Sequence, residues 1–145
     1  MKKPLPVIYT VGHSTHSLDD DKQGVAMVVH LVAMLRANDV QRLVDVRTIP
    51  RSRHNPQFNR ETLSKALHNR HLSYRHMKEL GGLRHPRPDS TNTGWRNASF
   101  RGYADYMQTP DFAEALERLI ALADEMPTAI MCVEAVPWRC HRSLI

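Results

Sequence analysis

The sequence predicts an α/β fold: a mainly parallel sheet with helices on both faces. Short apolar, β-branched segments alternate with longer segments of helical periodicity, in the order β-α-β-α-β-α-α-β-α. Such alternation requires crossover connections, which produce parallel strands covered by helices. Three strand segments are almost continuously apolar, as expected for strands buried on both sides. The length of 145 residues indicates one domain, residues 1–145.

The first strand and helix are expected in the N-terminal third. Residues 5–12, LPVIYTVG, form an apolar run that Gly12 ends, and they predict a buried strand. Within residues 13–39, Ser17 is the expected helix cap, and Asp19 to Asp21 suit the positive end of a helix. Apolar residues then recur at helical spacing, at Val25, Val28, Leu31, Val32 and Leu35.

The middle of the chain predicts two more strands and a long loop. Residues 42–47, RLVDVR, are expected to form the second strand. Residues 59–70 predict a short helix capped by Asn59, and residues 72–77 predict a third strand. Residues 83–99 are rich in Pro, Asn, Ser, Thr and Gly, which is typical of a loop, and loops this long usually have a function or are mobile.

Two helices and a last strand are expected after this loop. Residues 100–108 predict a helix capped by Ser99, and residues 109–126 predict the clearest helix of the chain. Thr109 is its expected N-cap, with Pro110 in the first turn, and its apolar stripe is Phe112, Leu116, Leu119, Ile120 and Ala123. Residues 128–134 predict the last strand, before a turn and the start of another helix.

Positive charge is concentrated in the middle of the chain. The formal net charge is +5, but residues 47–101 contain twelve Lys and Arg against three Asp and Glu. Residues 102–145 contain three Lys and Arg against seven Asp and Glu. A basic region of this kind favours a phosphate-bearing ligand or nucleic acid as a partner, although many charged runs are only solvated faces.

The cysteine content and hydropathy indicate the cellular compartment. The chain has two cysteines, Cys132 and Cys140, fewer than a secreted disulfide scaffold would carry, so we expect a reduced, cytoplasmic protein. No apolar run reaches the roughly 18 residues needed to span a bilayer, so no membrane partner is expected. The N-terminal residues are expected to be a short segment that precedes the first strand, and not a signal peptide. The oligomeric state stays open.

The carboxyl ends of the predicted strands carry most of the polar candidates. Ligands of open α/β sheets bind at this edge, and Arg is suited to bidentate capture of phosphate or carboxylate. A donor-rich turn after the first strand would also hold an anion. The predicted anion-binding residues are Ser14, Arg47, Arg51, Ser52, Arg53, His141 and Arg142.

The candidate catalytic residues lie at the same edge. Asp45 and Glu134 are candidate acid–base groups, with His13 as a further candidate, although Asp45 equally fits a structural pair with an arginine. Cys140 lies among basic residues, which lower a thiol pKa and favour a nucleophile, although a purely structural thiol is the alternative. Cys132, within an apolar strand, is expected to be a core residue.

Three functions remain open from these residues. The first is an enzyme acting on a phosphorylated, nucleotide or nucleic-acid substrate. The second is a nucleic-acid-binding module without chemistry, in which aromatic residues of the basic region provide stacking surfaces. The third is a metal-binding protein that uses Glu134, Cys140 and His141. No cofactor is indicated, and no residues have the spacing of a standard metal site.

Five segments together resemble a known family. They are, in order, YTVGHS, LVDVRTIPRSRHNPQFN, YRHMKELGG, FRGYADYM and MCVEAVPWRCHRSLI. This combination resembles the bacterial domain-of-unknown-function family 488, from about Ile8 to Ile145. The resemblance implies a compact single-domain α/β protein and no established activity. The characteristic residues correspond to Gly12, His13, Ser14, Asp45, Arg47, Pro50, Ser52, Gly81, Gly82, Tyr103, Glu134, Pro137, Cys140, His141 and Arg142.

The sequence departs from that family pattern in two places. The segment DDDKQGVAMV makes the first helix longer than the resemblance implies. Members usually continue past the CHR segment into a further strand and helix, whereas this sequence stops at Ile145. We therefore expect the sheet to lack its C-terminal strand, which would leave an exposed edge open to pairing with other chains.

Overall fold

A parallel sheet of four strands forms the centre of the part of the chain that the structure describes. The computed structural model describes residues 4–12, 23–53, 55–132 and 140–145. The strands are β1 (Ile8–Gly12), β2 (Arg42–Asp45), β3 (Ser73–His76) and β4 (Thr128–Cys132). They lie in the order β1-β4-β2-β3, and every neighbouring pair is parallel. The predicted α/β fold class is therefore confirmed.

Helices cover both faces of this sheet. They are α1 (Gln23–Ala37), α2 (Arg60–His68), α3 (Ala98–Met107) and α4 (Pro110–Glu125). Apolar residues of α1 and α2 pack with Leu43 and Met131 on one face. Residues of α3 and α4 pack with Val44 and Ile130 on the other face. Neighbouring residues of β2 and of β4 thus enter different cores, as the alternation of side chains along a strand requires.

Burial of the strands follows their position in the sheet. The central strands β2 and β4 are buried along almost their whole length, as predicted. The first strand begins at Ile8 and not at residue 5, and Tyr9 and Thr10 are exposed because β1 lies at the edge of the sheet. Its predicted burial on both sides is therefore wrong. The second strand ends at Asp45, two residues before the predicted end.

The helix N-termini show which capping signals hold. The Oγ1 atom of Thr109 accepts a hydrogen bond from the backbone N–H of Phe112, so the predicted cap of α4 is confirmed. The cap of α3 is Asn97 and not Ser99, because Asn97 Oδ1 accepts from the N–H groups of Ser99 and Phe100. The Asn59 side chain caps no helix, since its Oδ1 instead accepts from the N–H of Ser52.

Other predictions for the helices have mixed outcomes. Ile120 is 44 % exposed, so its predicted place in the buried stripe of α4 is wrong. The helix α2 buries Leu63 and Leu67 as its pattern predicts. The predicted start of α1, with Ser17 and the three aspartates, lies outside the described residues.

The sheet has β1 and β3 at its two edges in the described part of the chain. Among the described residues after β4, the regular structure consists of the 3-10 turn His141–Leu144. None of the helices in the described ranges has the length and apolar character needed to cross a membrane.

Candidate functional site

A cavity of about 510 Å³ lies at the carboxyl edge of the sheet. Its walls are formed by the segments that follow β2 and β3, by the start of α3, by the end of β4 and by the C-terminal turn. This is the edge at which parallel sheets bind ligands. The lining residues are Arg47, Thr48, Ile49, Gly82, Leu83, Asn97, Ser99, Phe100, Cys132, Cys140 and His141.

Two thiols and one imidazole form a cluster on the cavity wall. Cys132 is the last residue of β4, and Cys140 and His141 begin the C-terminal turn. The Nδ1 atom of His141 lies 3.6 Å from Sγ of Cys140 and 3.9 Å from Sγ of Cys132. All three atoms lie within 4.8 Å of one another. We call these three residues the Cys–Cys–His cluster.

The His141 ring is held in one orientation and one tautomer. Its Nε2 atom lies 3.0 Å from the carbonyl oxygen of Val46, which can only accept a hydrogen bond, so Nε2 carries the proton. In the neutral ring, Nδ1 then has a free lone pair directed toward the two sulfur atoms. The ring of Tyr103 packs against the imidazole, with 5.1 Å between the ring centroids.

Gly82 allows the backbone to approach this imidazole closely. A Cβ atom at Gly82 would lie 2.5 Å from His141 Nδ1, and one at Gly81 would lie 2.7 Å from the Cα of Thr48. Real Cβ atoms do not come this close to other atoms. The two glycines therefore let the segment after β3 pack directly against Thr48 and His141.

The Cys140 thiol is held in its protonated form. A hydrogen bond with Cys132, followed by burial of the side chain, raises the pKa of the Cys140 thiol. The N–H and the charge of Arg142 act in the opposite direction and have smaller effects. The predicted lowering of this pKa by neighbouring basic residues is therefore wrong, because burial and the second thiol outweigh those charges.

Asp45 and Arg47 form a buried ion pair beneath the cavity. The guanidinium of Arg47 donates to both carboxylate oxygens, with Nε 2.8 Å from Oδ1 and NH2 2.6 Å from Oδ2. The side chains are 0 % and 3 % exposed, respectively. Residues two apart in extended backbone point to the same side, which brings this pair together. Of the two roles left open for Asp45, the structure shows the ion pair.

Neighbouring residues make further hydrogen bonds to both members of this ion pair. The hydroxyl of Tyr74 donates to Asp45 Oδ2, and Arg47 NH2 donates to the carbonyl of Phe58 at 2.7 Å. Burial lowers the pKa of Arg47, but the hydrogen bond and charge of Asp45 outweigh this and raise it. Burial and Asp45 likewise raise the pKa of Tyr74. The network fixes the segment that leaves β2 and forms one cavity wall.

The other predicted anion-binding residues are divided between the surface and the interior. Arg51 and Arg53 are exposed on the segment that follows the cavity wall, whereas the lining ends at Ile49. Ser52 lies between them, and its Oγ accepts a hydrogen bond from the N–H of Asn55. Arg142 is buried, and its NH1 donates to the carbonyl of Val11 at 2.6 Å.

Three predicted site residues, Glu134, His13 and Ser14, lie outside the described residues. Of the remaining candidates, Arg47, Cys140 and His141 share the cavity lining, while Asp45 lies buried behind Arg47.

The comparison with protein families matches most of the chain. The sequence model of the family described as "Domain of unknown function DUF488" matches residues 28–145. The chain belongs to the DUF488 family. The match includes β2, β3, β4 and the Cys–Cys–His cluster, and it begins after β1, whereas the resemblance was expected from about Ile8. No curated protein and no solved structure matched this DUF488 chain.

Sequence reasoning missed several residues of this DUF488 cavity. Cys132 was predicted to be a core residue, but it is only partly buried and lines the cavity. Two sequence features could have predicted that Cys132 lies in the cavity. It is the last residue of a parallel strand, and a second cysteine, Cys140, follows eight residues later. Thr48, Asn97 and Phe100 carried no such signal, because the tertiary fold alone brings them to the cavity.

The long loop of this DUF488 chain is anchored by Asp105 on α3. The carboxylate is almost buried, with Oδ2 accepting from the N–H of Arg87 at 2.8 Å and Oδ1 from Ser90 at 2.6 Å and Asn92 at 2.7 Å. These hydrogen bonds, from Ser90 first and then Asn92, lower the pKa of Asp105. The loop carries Leu83 and Asn97 into the cavity wall, so Asp105 helps to position that wall.

Replacing Asp105 by asparagine is expected to lower the melting temperature at neutral pH. The NH2 group of the new amide would face the N–H of Arg87 or the donor groups of Ser90 and Asn92, so two donors would lie opposite each other. Because the Asp105 pKa is lowered in the folded protein, the ionised carboxylate stabilises the fold at pH values above the ordinary Asp pKa. This stabilisation is lost as the pH falls and the carboxylate is protonated. The difference in melting temperature between wild type and Asp105→Asn should therefore shrink below about pH 4. Melting curves from pH 7 to pH 3 measure this, with exposed Asp89→Asn as the matched control. An Asp105→Asn difference that does not depend on pH would contradict it.

Proposed function

We propose that this DUF488 protein is an enzyme that binds a small phosphate-bearing substrate in the cavity. The observation that carries the proposal is the convergence of two thiols and an oriented imidazole on the wall of a cavity at the carboxyl edge of the sheet. Titratable groups gathered in the main cavity are the usual starting point for an active-site assignment.

The anionic character of the substrate is supported by the basic residues that follow the cavity wall in sequence. Arg51 and Arg53 are exposed on the segment that continues from the cavity wall, and residues 47–101 carry twelve basic against three acidic residues. The N-terminal end of α3, at Asn97 and Ser99, forms another wall and is the positive end of its helix dipole. These features complement a phosphate group.

The Asp45–Arg47 pair has a positioning role in this proposal. Asp45 is 0 % exposed and both of its oxygens accept hydrogen bonds from Arg47 or Tyr74, so the carboxylate is engaged within the protein. It holds the backbone that leads to Thr48 and Ile49. The chemistry is assigned to the Cys–Cys–His cluster, which directly faces the cavity.

A second candidate function is nucleic-acid binding. The rings of Trp95 and Phe100 stack, with centroids 5.5 Å apart and an interplanar angle of 18°. Trp95 is 40 % exposed, and Phe100 lines the cavity. Arg101 donates two hydrogen bonds to the carbonyl of Trp95, which holds this pair in place. An exposed ring beside arginine is the kind of surface on which single-stranded bases stack.

A thermal-shift titration tests both functions. The protein is melted with phosphosugars, nucleotides, inorganic phosphate or short oligonucleotides, each at low and high salt. A specific small ligand at a hundredfold its Kd should stabilise the fold by about 2.7 kcal/mol. This shift should shrink in Arg51→Ala/Arg53→Ala and persist in the matched double variant Arg75→Ala/Arg118→Ala, which removes two exposed arginines elsewhere.

The pattern of shifts separates the two functions. A shift with one small phosphorylated compound that survives high salt supports the enzyme. A shift with oligonucleotides alone, erased by salt and reduced in Trp95→Ala, supports nucleic-acid binding, because counterion release makes such binding depend steeply on salt. No shift with any of these compounds would overturn both.

A further inference from the structure

We propose that Cys132, Cys140 and His141 bind one thiophilic divalent metal ion, for which zinc is the best fit. Two cysteine sulfurs and one imidazole nitrogen are the ligand types that zinc prefers, whereas calcium and magnesium require oxygen ligands. The site was not predicted as such from the sequence, because Cys132 was expected to lie in the core. The metal would lie on the wall of the cavity assigned to the substrate, but its binding does not depend on that substrate.

The nitrogen–sulfur distances in the Cys–Cys–His cluster are close to those of a tetrahedral zinc site. With Zn–S bonds of about 2.3 Å and Zn–N bonds of about 2.0–2.1 Å, a sulfur and a nitrogen ligand lie about 3.6 Å apart. The separations from His141 Nδ1 are 3.6 Å to Cys140 Sγ and 3.9 Å to Cys132 Sγ. The nitrogen–sulfur distances would therefore need an adjustment of about 0.3 Å at Cys132, and the three ligand atoms already lie within 4.8 Å of one another.

The imidazole is prepared for coordination before a metal arrives. Histidine ligands usually donate their second ring N–H to a carbonyl or carboxylate, which fixes the coordinating nitrogen. His141 makes this contact through Nε2, 3.0 Å from the carbonyl oxygen of Val46. Its Nδ1 lone pair consequently faces the sulfurs of Cys132 and Cys140.

The sulfur of Cys140 also has an outer contact of the kind found around metal ligands. The backbone N–H of Arg142 lies 3.4 Å from Cys140 Sγ and donates to it. Such a donor stabilises a thiolate and orients the sulfur. The contact belongs to the turn itself, so it is already present in the metal-free cluster.

The charge balance favours a divalent ion at this buried position. Each cysteine loses a proton on binding, and two thiolates with one neutral imidazole cancel a charge of +2. Cys140 is 4 % exposed, and a neutral complex avoids burying a net charge there. Two protons should therefore be released for each metal bound.

The remaining side of the site faces the cavity. All three residues of the cluster line the cavity, so, as far as the described residues show, a metal ion bound to them has its fourth position open to that space. Zinc sites with three protein ligands and an open position are typical of sites that act on a bound molecule, whereas structural sites are closed by four protein ligands. A cation here would also complement an anionic ligand.

The test is a metal titration of the full chain, expressed without a metal-affinity tag, reduced and treated with a chelator. Zinc alone and cobalt alone are the probes. We expect one metal per chain, release of about two protons per metal, and cobalt absorption typical of tetrahedral thiolate coordination. Cys132→Ser and Cys140→Ser should each weaken metal affinity by more than about 100-fold. Removing a group that only hydrogen-bonds to a metal ligand typically weakens affinity by roughly 10–100-fold, and loss of a ligand itself should cost more.

The controls separate this site from other binding. His85→Gln removes an exposed histidine from the loop and should leave affinity unchanged. The melting temperature of each metal-free variant reports whether it folds. Wild-type protein that binds no stoichiometric cobalt, or a cobalt spectrum that persists in folded Cys140→Ser, overturns the proposal. So does a Cys132–Cys140 disulfide that persists in reducing buffer.

The outcomes for metal and substrate are distinguishable. Metal stoichiometry is measured with no organic ligand present, and the phosphate-ligand shifts are measured again on chelator-treated protein. Stoichiometric metal without any ligand shift would support the metal site and contradict the proposed substrate. A ligand shift without metal binding would support the substrate and overturn the metal site.

Discussion

Replacing Asp45 by alanine is expected to lower the free energy of unfolding by about 3–5 kcal/mol, the usual result of breaking a buried ion pair. The carboxylate accepts three hydrogen bonds from Arg47 and one from Tyr74, and it is 0 % exposed. The variant would leave the Arg47 charge in the interior without that carboxylate. Since small domains have only about 5–15 kcal/mol of stability in total, urea unfolding should show a large loss.

Two further variants identify the cause of this loss. Asp45→Asn keeps the shape of the side chain but removes its charge, and it should also destabilise the fold. Asp45→Leu/Arg47→Met removes both charges, and buried pairs replaced by apolar residues often regain stability, so it should recover much of the loss. Arg75→Ala, on an exposed position of β3, is the control and should change stability by less than about 0.5 kcal/mol. An Asp45→Ala protein as stable as wild type would refute the importance of the pair.

Replacing Tyr103 by alanine is the second large effect, with an expected cost of about 3–5 kcal/mol. The side chain is 0 % exposed and makes edge contacts with the rings of Tyr106 and Phe112, 6.1 and 6.0 Å away between centroids. Its removal would leave a cavity between α3 and α4 and take away the ring that packs on His141. Urea unfolding measures the stability.

The conservative variant Tyr103→Phe separates packing from hydrogen bonding. The Tyr103 hydroxyl donates to the carbonyl of Leu80 at 2.9 Å, and losing that bond should cost about 0.5–1.5 kcal/mol. The imidazole NMR signals of His141 should move in Tyr103→Ala and change little in Tyr103→Phe. Equal losses of stability in the two variants would show that the hydrogen bond, and not the ring, is the main contribution.

Local signals account for the part of the fold that the sequence predicts well. The order of elements depends on hydrophobic periodicity and is confirmed from β1 to β4, whereas the described residues after β4 form a 3-10 turn instead of the expected helix. The start of α4 has a strong signal in Thr109 and Pro110 and is also confirmed. The cap of α3 was misplaced because Asn97 and Ser99 are both good capping residues, and the geometry of the loop selects Asn97.

Strand order is the part of the fold that local patterns cannot provide. The apolar run around β1 resembles that of a central strand, yet β1 lies at an edge. Its place depends on pairing with β4, and that pairing involves segments at opposite ends of the chain. A pattern within one segment contains no information about which neighbour it acquires.

The site shows the same division between local and tertiary information. The pairing of Asp45 with Arg47 follows from their spacing of two residues in extended backbone, so the sequence could offer it as one of two alternatives. The Cys–Cys–His cluster requires the end of β4 and the C-terminal turn to meet. The hydrogen bond with the Cys132 thiol, followed by burial, then reverses the pKa shift that the neighbouring basic residues alone would produce at Cys140.

The pairing of β1 with β4 has a consequence for synthesis of the chain on the ribosome. Ile8 is aligned with Thr128, so 120 residues must be added before the partner of β1 has been made. At about 5–20 residues per second, this takes roughly 6–24 s. During that interval the segment of β1 has no partner strand and is available to chaperones. It includes Tyr9 and follows Val7, two apolar side chains that stay exposed even in the folded protein. Cys132 and Cys140 are synthesised later than β1, so the Cys–Cys–His cluster can assemble only after translation has passed both cysteines and His141.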